Sequence, residues 1–269
     1  MNYVEVKGGL GNQLFQYAFA GYLENRTGVP SVLHVEFFDY VKNVPGATVR
    51  EFGLTKLNAG FISVTGSITC GSVVEEKNLP EIGKGDDNCF YSGYWQSKKY
   101  FGSDRERFRR ELTPKDRCLS PGVKKLMDDI DPAASVSVHI RRSDYLTGQN
   151  RDIFSELTEE YYRKAVLAVK NAAERDDLIL YVFSDDMDWA STVINRIHDR
   201  VVLMPYNSAH EDLFLMSRTR HHITANSTFS WWGAALGTKE DGITVAPSHW
   251  FRHDPDPDLY PEDWIVTDP

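Results

Sequence analysis

Nowhere in the 269-residue chain is there a run of about 18 apolar residues, so the simplest signature of a membrane-spanning helix is missing. The start, Met1-Asn2-Tyr3-Val4-Glu5, has neither a basic region nor an apolar stretch before a cleavage site, and no secretory signal is expected. Cysteine is scarce. Cys70, Cys89 and Cys118 are odd in number, widely spaced and free of any C-x-x-C or Cys/His pairing. That excludes a disulfide framework and a zinc site and predicts three free thiols in a reducing cytosol. Excess positive charge is absent too: 30 Lys+Arg stand against 39 Asp+Glu, a net charge of −9. A protein that grips nucleic acid through overall charge is excluded, and any anionic ligand must be met by local basic residues. Repeats of solenoid period and low-complexity segments are also lacking. What the chain has is 41% apolar residues, enough for one large or two modest folded domains, and an aromatic surplus of 14 Phe, 13 Tyr and 6 Trp. Such a surplus suits large rigid contact surfaces in a core or a ligand cleft.

The patterning is that of an α/β protein. Tyr3 to Lys7 alternates as a strand and runs into Gly8-Gly9-Leu10-Gly11-Asn12. From Gln13 to Leu23 the positions Leu14, Phe15, Ala18, Phe19 and Tyr22 predict a helix with one apolar face, and Ser31 to Val35 a second strand. Residues 37 to 81 are irregular and yield no element. Tyr91 to Phe101 is an aromatic segment leading to a charged helix, Ser103 to Leu112. Prolines at 114, 121 and 132 mark a boundary between residues 113 and 133, giving domains 1–125 and 126–269. Beyond it the alternation restarts. Strands are predicted at Ser135–Ile140, Leu178–Phe183, Ile223–Ala225 and, last, Ile243–Ala246; helices at Thr158–Arg175 with Thr158 as N-cap, His210–Thr219 and Ser230–Gly237. Strands alternating with helices imply parallel sheets covered on both faces. Asp254 to Asp258 reads as an acidic turn segment.

Three clusters can carry chemistry. The Gly8-Gly9-x-Gly11 turn lets backbone amides at a helix start approach a phosphate or a sugar hydroxyl, but it fits neither the dinucleotide nor the P-loop fingerprint. A tight turn using Gly for positive φ is the alternative. His139-Ile140-Arg141-Arg142-Ser143-Asp144-Tyr145 ends a strand, where open parallel sheets bind ligands. Paired arginines there suit the bidentate acceptors of a diphosphate, with Asp144 orienting one guanidinium or serving as base; a solvated charge cluster is the plainer reading. Asn226-Ser227-Thr228-Phe229-Ser230 opens a helix and makes an anion site, unless Ser and Thr simply cap it and Trp231-Trp232 is core. Asp185-Asp186 ends a further strand, placed to accept from a guanine or a ribose or to cap the next helix. Asp186-x-Asp188 and Asp254-x-Asp256 match a metal-holding D-x-D only superficially, and no metal site is expected. Charge on a leaving group would then be neutralised by Arg141 and Arg142.

Together these segments resemble the α-1,2-fucosyltransferase family, glycosyltransferase family 11. The resemblance rests on Gly8 to Ala18, Gly93 to Phe101, His139 to Tyr145, Phe183 to Asp186, Glu211 to Ser217 and Asn226 to Gly233, in that order, and spans residues 1 to about 251. It implies a GT-B fold, two Rossmann-like domains across a cleft, with the acceptor on the first and GDP-fucose on the second. It also implies inverting transfer of L-fucose from GDP-β-L-fucose to the 2-hydroxyl of a terminal galactose, on an oligosaccharide or a lipid-linked glycan, with no cofactor beyond the donor substrate. By that similarity His139 lies near the nucleotide, and Arg141 and Arg142 on its diphosphate. Asn226, Ser227 and Thr228 complete the cradle, with Asn12 and Gly11 from the first domain and Asp185 beside them. Gln13, His34, Glu36 and Trp95 are the acceptor-side candidates, and Asp144, His34 and Glu36 the candidate bases. Two rival readings remain, a GT-B transferase using another nucleotide sugar and a glycan-binding protein without catalysis. The expected location is cytoplasmic, with or without peripheral association at the inner face of the membrane.

Overall fold

Strand and helix alternate along the whole chain and build two separate parallel sheets, each in its own unit, Met1–Lys115 and Asp116–Pro269. The computed structural model describes residues 1–102, 104–143, 145–146, 150–237, 241–253 and 258–268.

In the first unit β1 (Asn2–Glu5) leads through Gly8 and Gly9 into α1 (Leu10–Thr27), then β2 (Ser31–His34). The segment from 37 to 81, silent in the sequence, holds α2 (Phe37–Tyr40), short 3-10 turns and two short strands, β3 (Ser63–Val64) and β4 (Ser72–Glu75). After β5 (Cys89–Ser92) come α3 (Lys98–Gly102) and α4 (Arg105–Glu111). Asp104 caps α4 by accepting from the Arg107 amide; Ser103, the expected start, lies outside the described residues. All pairings are parallel, in the order β3-β2-β1-β5-β4.

α1 differs from its expected single apolar face. Residues 10 and 11, 13 to 21 and 23 are buried, Gln13 and Gln16 included, because the sheet, α3 and the turn at Gly53–Lys56 enclose the helix from several sides. Enclosure demands partners for its amides. Gln16 accepts from the Lys7 amide and donates to the Gly93 carbonyl; Gln13 donates to the carbonyls of Gly8 and Glu51 and accepts from the Gly53 amide. The aromatic core is tight: Phe19 stacks on Trp95 with ring centroids 3.8 Å apart, and Tyr91 and Tyr100 meet Phe19 edge-on.

The second unit contains α5 (Pro121–Asp129), β6 (Ser135–Ile140), α6 (Asn150–Ile153), α7 (Glu159–Ala173), β7 (Ile179–Ser184), α8 (Met187–Ile197) and β8 (Val201–Leu203). α9 (Ala209–Arg218), β9 (His221–Ile223), α10 (Thr228–Ala235), β10 (Thr244–Pro247) and β11 (Ile265–Thr267) follow. Its parallel sheet runs β11-β10-β9-β6-β7-β8. The division after Lys115 leaves α5 whole, where a boundary at 125 would cut it. Val123 of α5 packs with Ile130, Tyr181, Leu215 and Met216 of the second unit.

β6 alternates Val136, Val138 and Ile140 toward α7 and α8 with Ser135, Ser137 and His139 on the other face. Every residue of β6 is buried, as a central parallel strand requires, so the polar face must find partners. Ser137 Oγ lies 2.8 Å from His222 Nδ1, and Ser135 Oγ accepts from the Arg220 amide. Thr158 stands at the N-cap of α7 without a side-chain bond. β11 was not expected; it is a three-residue edge strand, too short to carry a pattern. No helix among the described residues is long and apolar enough to cross a membrane.

Candidate active site

In the second unit the chain runs from β6 outward to β7 and β8, then returns to β9 on the opposite side. The switch point therefore lies at the carboxyl ends of β6 and β9, where open parallel sheets bind ligands. Arg141 and Arg142 leave β6 there, Asp185 and Asp186 leave β7, and Asn226, Ser227 and Thr228 bridge β9 to the start of α10.

Contacts run across all three strand ends. Arg141 Nη1 is 3.1 Å from Asp185 Oδ2, and its guanidinium lies 5.6 Å above the Tyr145 ring. The Tyr145 hydroxyl donates to the Asn226 carbonyl, 3.1 Å away. The Arg142 amide donates to Asp185 Oδ1. The Arg142 guanidinium lies 4.0 Å over Trp189, with Asp186 at 3.5 Å and Glu156 at 3.6 Å. Two cations thus face three carboxylates at ion-pair distance. Asp186 Oδ1 also accepts from the Trp189 amide as the N-cap of α8; Asp254 and Asp256 lie outside the described residues, as does Asp144. Among the described residues no group of three or more His, Cys, Asp or Glu is arranged to hold a metal.

Four buried polar atoms here have no hydrogen-bond partner among the described residues: His139 Nδ1, Asn226 Oδ1, Arg142 Nε and Asp185 Oδ2, the last two at ion-pair distance from Asp186 and Arg141. Asn226 is held rigidly by its other end, its Nδ2 donating to the carbonyls of Ser155 and Trp250. Burial, with the Arg141 charge adding to it, lowers the His139 imidazole to about 3, so it is a neutral hydrogen-bonding group and not a third cation. Orphaned polar atoms in a buried setting are costly unless something completes them. Ser227 is buried at the N-cap of α10 and makes no side-chain capping bond, and Thr228 is half-buried at the first helical position. The helix start adds its free amides and partial positive charge to the two arginines.

The first unit has its own switch point, between β1 and β5. Gly8 adopts φ +80°, which calls for glycine, and a Cβ there would press on Asn12 Nδ2 at 2.8 Å. Asn12 Oδ1 accepts from Gln96 Nε2. Gln96 is aimed by Trp95, whose φ of 56° is left-handed, a strained state for a bulky residue that the stacking on Phe19 holds in place. Glu5 accepts from Lys7 Nζ and Ser92 Oγ, each at 2.6 Å. His34 Nε2 lies 2.9 Å from the Gly66 carbonyl, and the Gly66 amide donates to Glu36.

Similarity to known proteins bears on this arrangement. The model of glycosyl transferase family 11 matches residues 74–268. The chain belongs to glycosyl transferase family 11. It is 34% identical to an alpha-1,2-colitosyltransferase of Escherichia coli, with 96% of each chain covered. It is 28% identical to galactoside alpha-(1,2)-fucosyltransferase 1 of Rattus norvegicus over 54% of this chain and 41% of that one. The fold matches the crystal structure of fucosyltransferase NodZ from Bradyrhizobium with a TM-score of 0.55 at 14% identity, covering 86% and 92% of the two chains. Each unit is Rossmann-like, and the architecture is GT-B-like.

In this family 11 glycosyltransferase, His139, Arg141, Arg142, Asp185, Asn226, Ser227 and Thr228 come together at one sheet edge. Asn12, His34 and Glu36 stand at the carboxyl edge of the first sheet. Gly11 is buried in the first turn of α1. Gln13 and Trp95, read as acceptor contacts, are 1% and 0% exposed; enclosed in the core, they hold loops and meet no solvent. Sequence reasoning passed over Tyr145 as the link to Asn226, Trp189 and Glu156 around Arg142, and the Glu5, Lys7 and Ser92 group. It also missed Glu211, which accepts from the Ser208 amide and hydroxyl and from the Ser120 amide. The spacing Ser208-x-x-Glu211 is a capping-box signal that was there to be read. Burial pushes Glu211 up, but those hydrogen bonds outweigh it and bring the carboxyl to about 2.

Proposed function

We propose that this protein transfers L-fucose from GDP-β-L-fucose to the 2-hydroxyl of a terminal galactose, with inversion. The observation that carries the reading is the set of unpartnered atoms beside paired arginines and a helix start at the second sheet's switch point. A GDP diphosphate supplies acceptors for Arg141, Arg142 and the α10 amides. The ribose and base supply partners for Asn226 Oδ1 and His139 Nδ1, and Asp185 is within the same group. As the bond from fucosyl C1 to the phosphate oxygen breaks, negative charge grows on the β-phosphate and C1 becomes oxocarbenium-like. The acceptor oxygen then bonds C1 from the opposite face and loses its proton. Guanidiniums already in place stabilise the leaving group without reorganisation. They must first give up part of their pairing with Asp185, Asp186 and Glu156, and a diphosphate of higher charge is the ligand that can win that exchange.

We assign the acceptor to the first unit, with His34 and Glu36 as contacts, and Asn12 and Gly11 to the donor. The proton of the acceptor hydroxyl goes to His34, Glu36 or Asp144. The reading includes catalysis without a divalent metal, supported by the arginines, and action in the cytoplasm on an oligosaccharide or a lipid-linked glycan. The name of the Escherichia coli relative favours one second reading, transfer of colitose in the same linkage. The deciding experiment incubates the protein with GDP-fucose or nucleotide-activated colitose and a set of galactose-terminated acceptors, in EDTA and in Mn²⁺. GDP release and the product linkage by NMR are followed. An α-1,2 fucosyl product formed in EDTA is expected. Colitose transfer alone moves the donor assignment, sugar binding without GDP release overturns catalysis, and activity only with Mn²⁺ overturns metal independence.

A further inference from the structure

The first unit holds a cavity of about 280 Å³ that none of the preceding chemistry uses. It is walled by Tyr17, Gly21 and Glu24 of α1, by Ser31 at the amino-terminal start of β2, by Phe61 and by Arg107 of α4. β2 rises about 3.3 Å per residue, so Ser31 lies about 10 Å along the strand from His34 at the carboxyl edge. The cavity runs along β2 from Ser31 to Leu33, on the face opposite to the side chain of His34.

Its polar groups are arranged as a recognition set. Ser31 is 9% exposed, and its Oγ has no hydrogen-bond partner among the described residues. The Ser31 amide donates to Glu24 Oε1 at 2.9 Å, which fixes that carboxylate beside the hydroxyl. Arg107 Nε donates to both oxygens of Glu111, at 2.9 and 3.1 Å, which fixes the guanidinium. Its Nη1 would lie 3.4 Å from a Cβ at Gly21, so the guanidinium packs closely over that glycine at the edge of the space. Phe61 adds an aromatic wall, and the lining also includes Ile62, which is 63% exposed.

From this geometry we propose that the cavity is a saccharide-binding pocket for one neutral pyranose ring. Arg107 is already paired with Glu111, so with Glu24 beside it the space has no net positive charge for a phosphate or carboxylate, and the guanidinium stands against an amine, whereas a neutral polyol satisfies both Glu24 and Arg107. Sugar hydroxyls donate to Glu24, accept from Arg107 and complete Ser31 Oγ, while the C–H face of the ring lies against Phe61. The volume falls just below the roughly 300 Å³ at which pockets for drug-sized ligands begin, which suits a single ring and not a nucleotide. The proposal does not depend on the transfer reaction, since its readout needs neither donor nor turnover.

The test is titration of the ¹⁵N-labelled protein with methyl β-D-galactopyranoside and with methyl α-L-fucopyranoside, using glycerol and inorganic phosphate as controls. Saturable amide shifts confined to residues 17–31, 60–62 and 107 are expected for at least one glycoside, with a dissociation constant on the order of 1 mM. Ser31→Ala and Glu24→Gln should each weaken it at least about fivefold while the rest of the amide spectrum is unchanged, Glu24→Gln keeping the oxygen that accepts from Ser31. No shift at these residues with either sugar, equal shifts with glycerol, or stronger binding of phosphate would each overturn the proposal. Unchanged affinity in both variants would do so as well.

Discussion

The two units solve the same architectural problem with different materials. The first wraps its sheet around a nearly encircled helix and an aromatic stack of Phe19, Trp95, Tyr91 and Tyr100, and its sheet tapers to the two-residue β3 at one edge. Its loop-facing amides and carboxylates, those of Gln13, Gln16, Glu5 and Glu36, bind the unit's own loops. The second is built around β6, a six-residue strand with an aliphatic face and a polar, histidine-bearing face. At its sheet edge four buried polar atoms, of His139, Arg142, Asp185 and Asn226, have no hydrogen-bond partner among the described residues. A loop that satisfies most of its own groups, as the first unit's does with Trp95 Nε1 excepted, is preorganised and asks little of a ligand. One that does not is stabilised by the molecule that completes it.

Acid should separate the units most. Burial lowers His139 and His222 to about 3 and His221 to about 4, with Arg141, His221 and Arg220 adding smaller contributions respectively. Such groups give stability that is fully present above the ordinary imidazole value near 6.5 and is lost as pH falls toward the folded values. By pH 5 that amounts to about 2 kcal/mol for each histidine. Asp212, raised by burial to about 6, runs the other way and returns about 1 kcal/mol over the same range. The described residues of the first unit bury no histidine. Urea unfolding followed by hydrogen exchange at pH 7.5 and 5 should show the loss in the second unit; equal losses would break the comparison.

Trp95→Ala should cost about 3 to 5 kcal/mol in the first unit, from the cavity left against Phe19, and should leave GDP affinity unchanged. Denaturation midpoints and GDP calorimetry check it. Arg142→Ala should lower turnover by more than about a hundredfold, about 3 kcal/mol, and weaken GDP, with Arg142→Lys recovering part of the rate. Near-normal turnover in a folded variant would remove Arg142 from catalysis. The smallest effect is expected at the first sheet's edge: Glu36→Gln should raise KM for the acceptor by less than about tenfold with GDP affinity unmoved. A change in GDP affinity there would erase the division of labour.

Much of this was legible in the residues. Alternating Ser and Val in 135 to 140 marked β6, and the arginines after it marked a strand end at which ligands bind. The segment from 37 to 81 was illegible because β3 and β4 are edge strands of two and four residues, fixed by pairing rather than by pattern. Trp95 and Gln13 misled for a related reason. An aromatic or an amide beside a glycine loop reads as a ligand contact, and only tertiary enclosure shows that these two hold the loop. The missing hydrogen bonds of His139, Arg142, Asp185 and Asn226 cannot be read from sequence, since they are a property of three-dimensional neighbours.

Glu211 ties two distant helix starts together. One carboxylate accepts from Ser120 ahead of α5 and from Ser208 ahead of α9, positions far apart in the chain. Two helix starts that would otherwise fray on their own are thereby knotted into one opening unit. Because the carboxyl stays ionised down to about pH 2, the knot holds through any acidity that the histidines survive. Amides at the two helix starts should exchange with solvent at a common opening free energy, and Glu211→Ala should let them open separately.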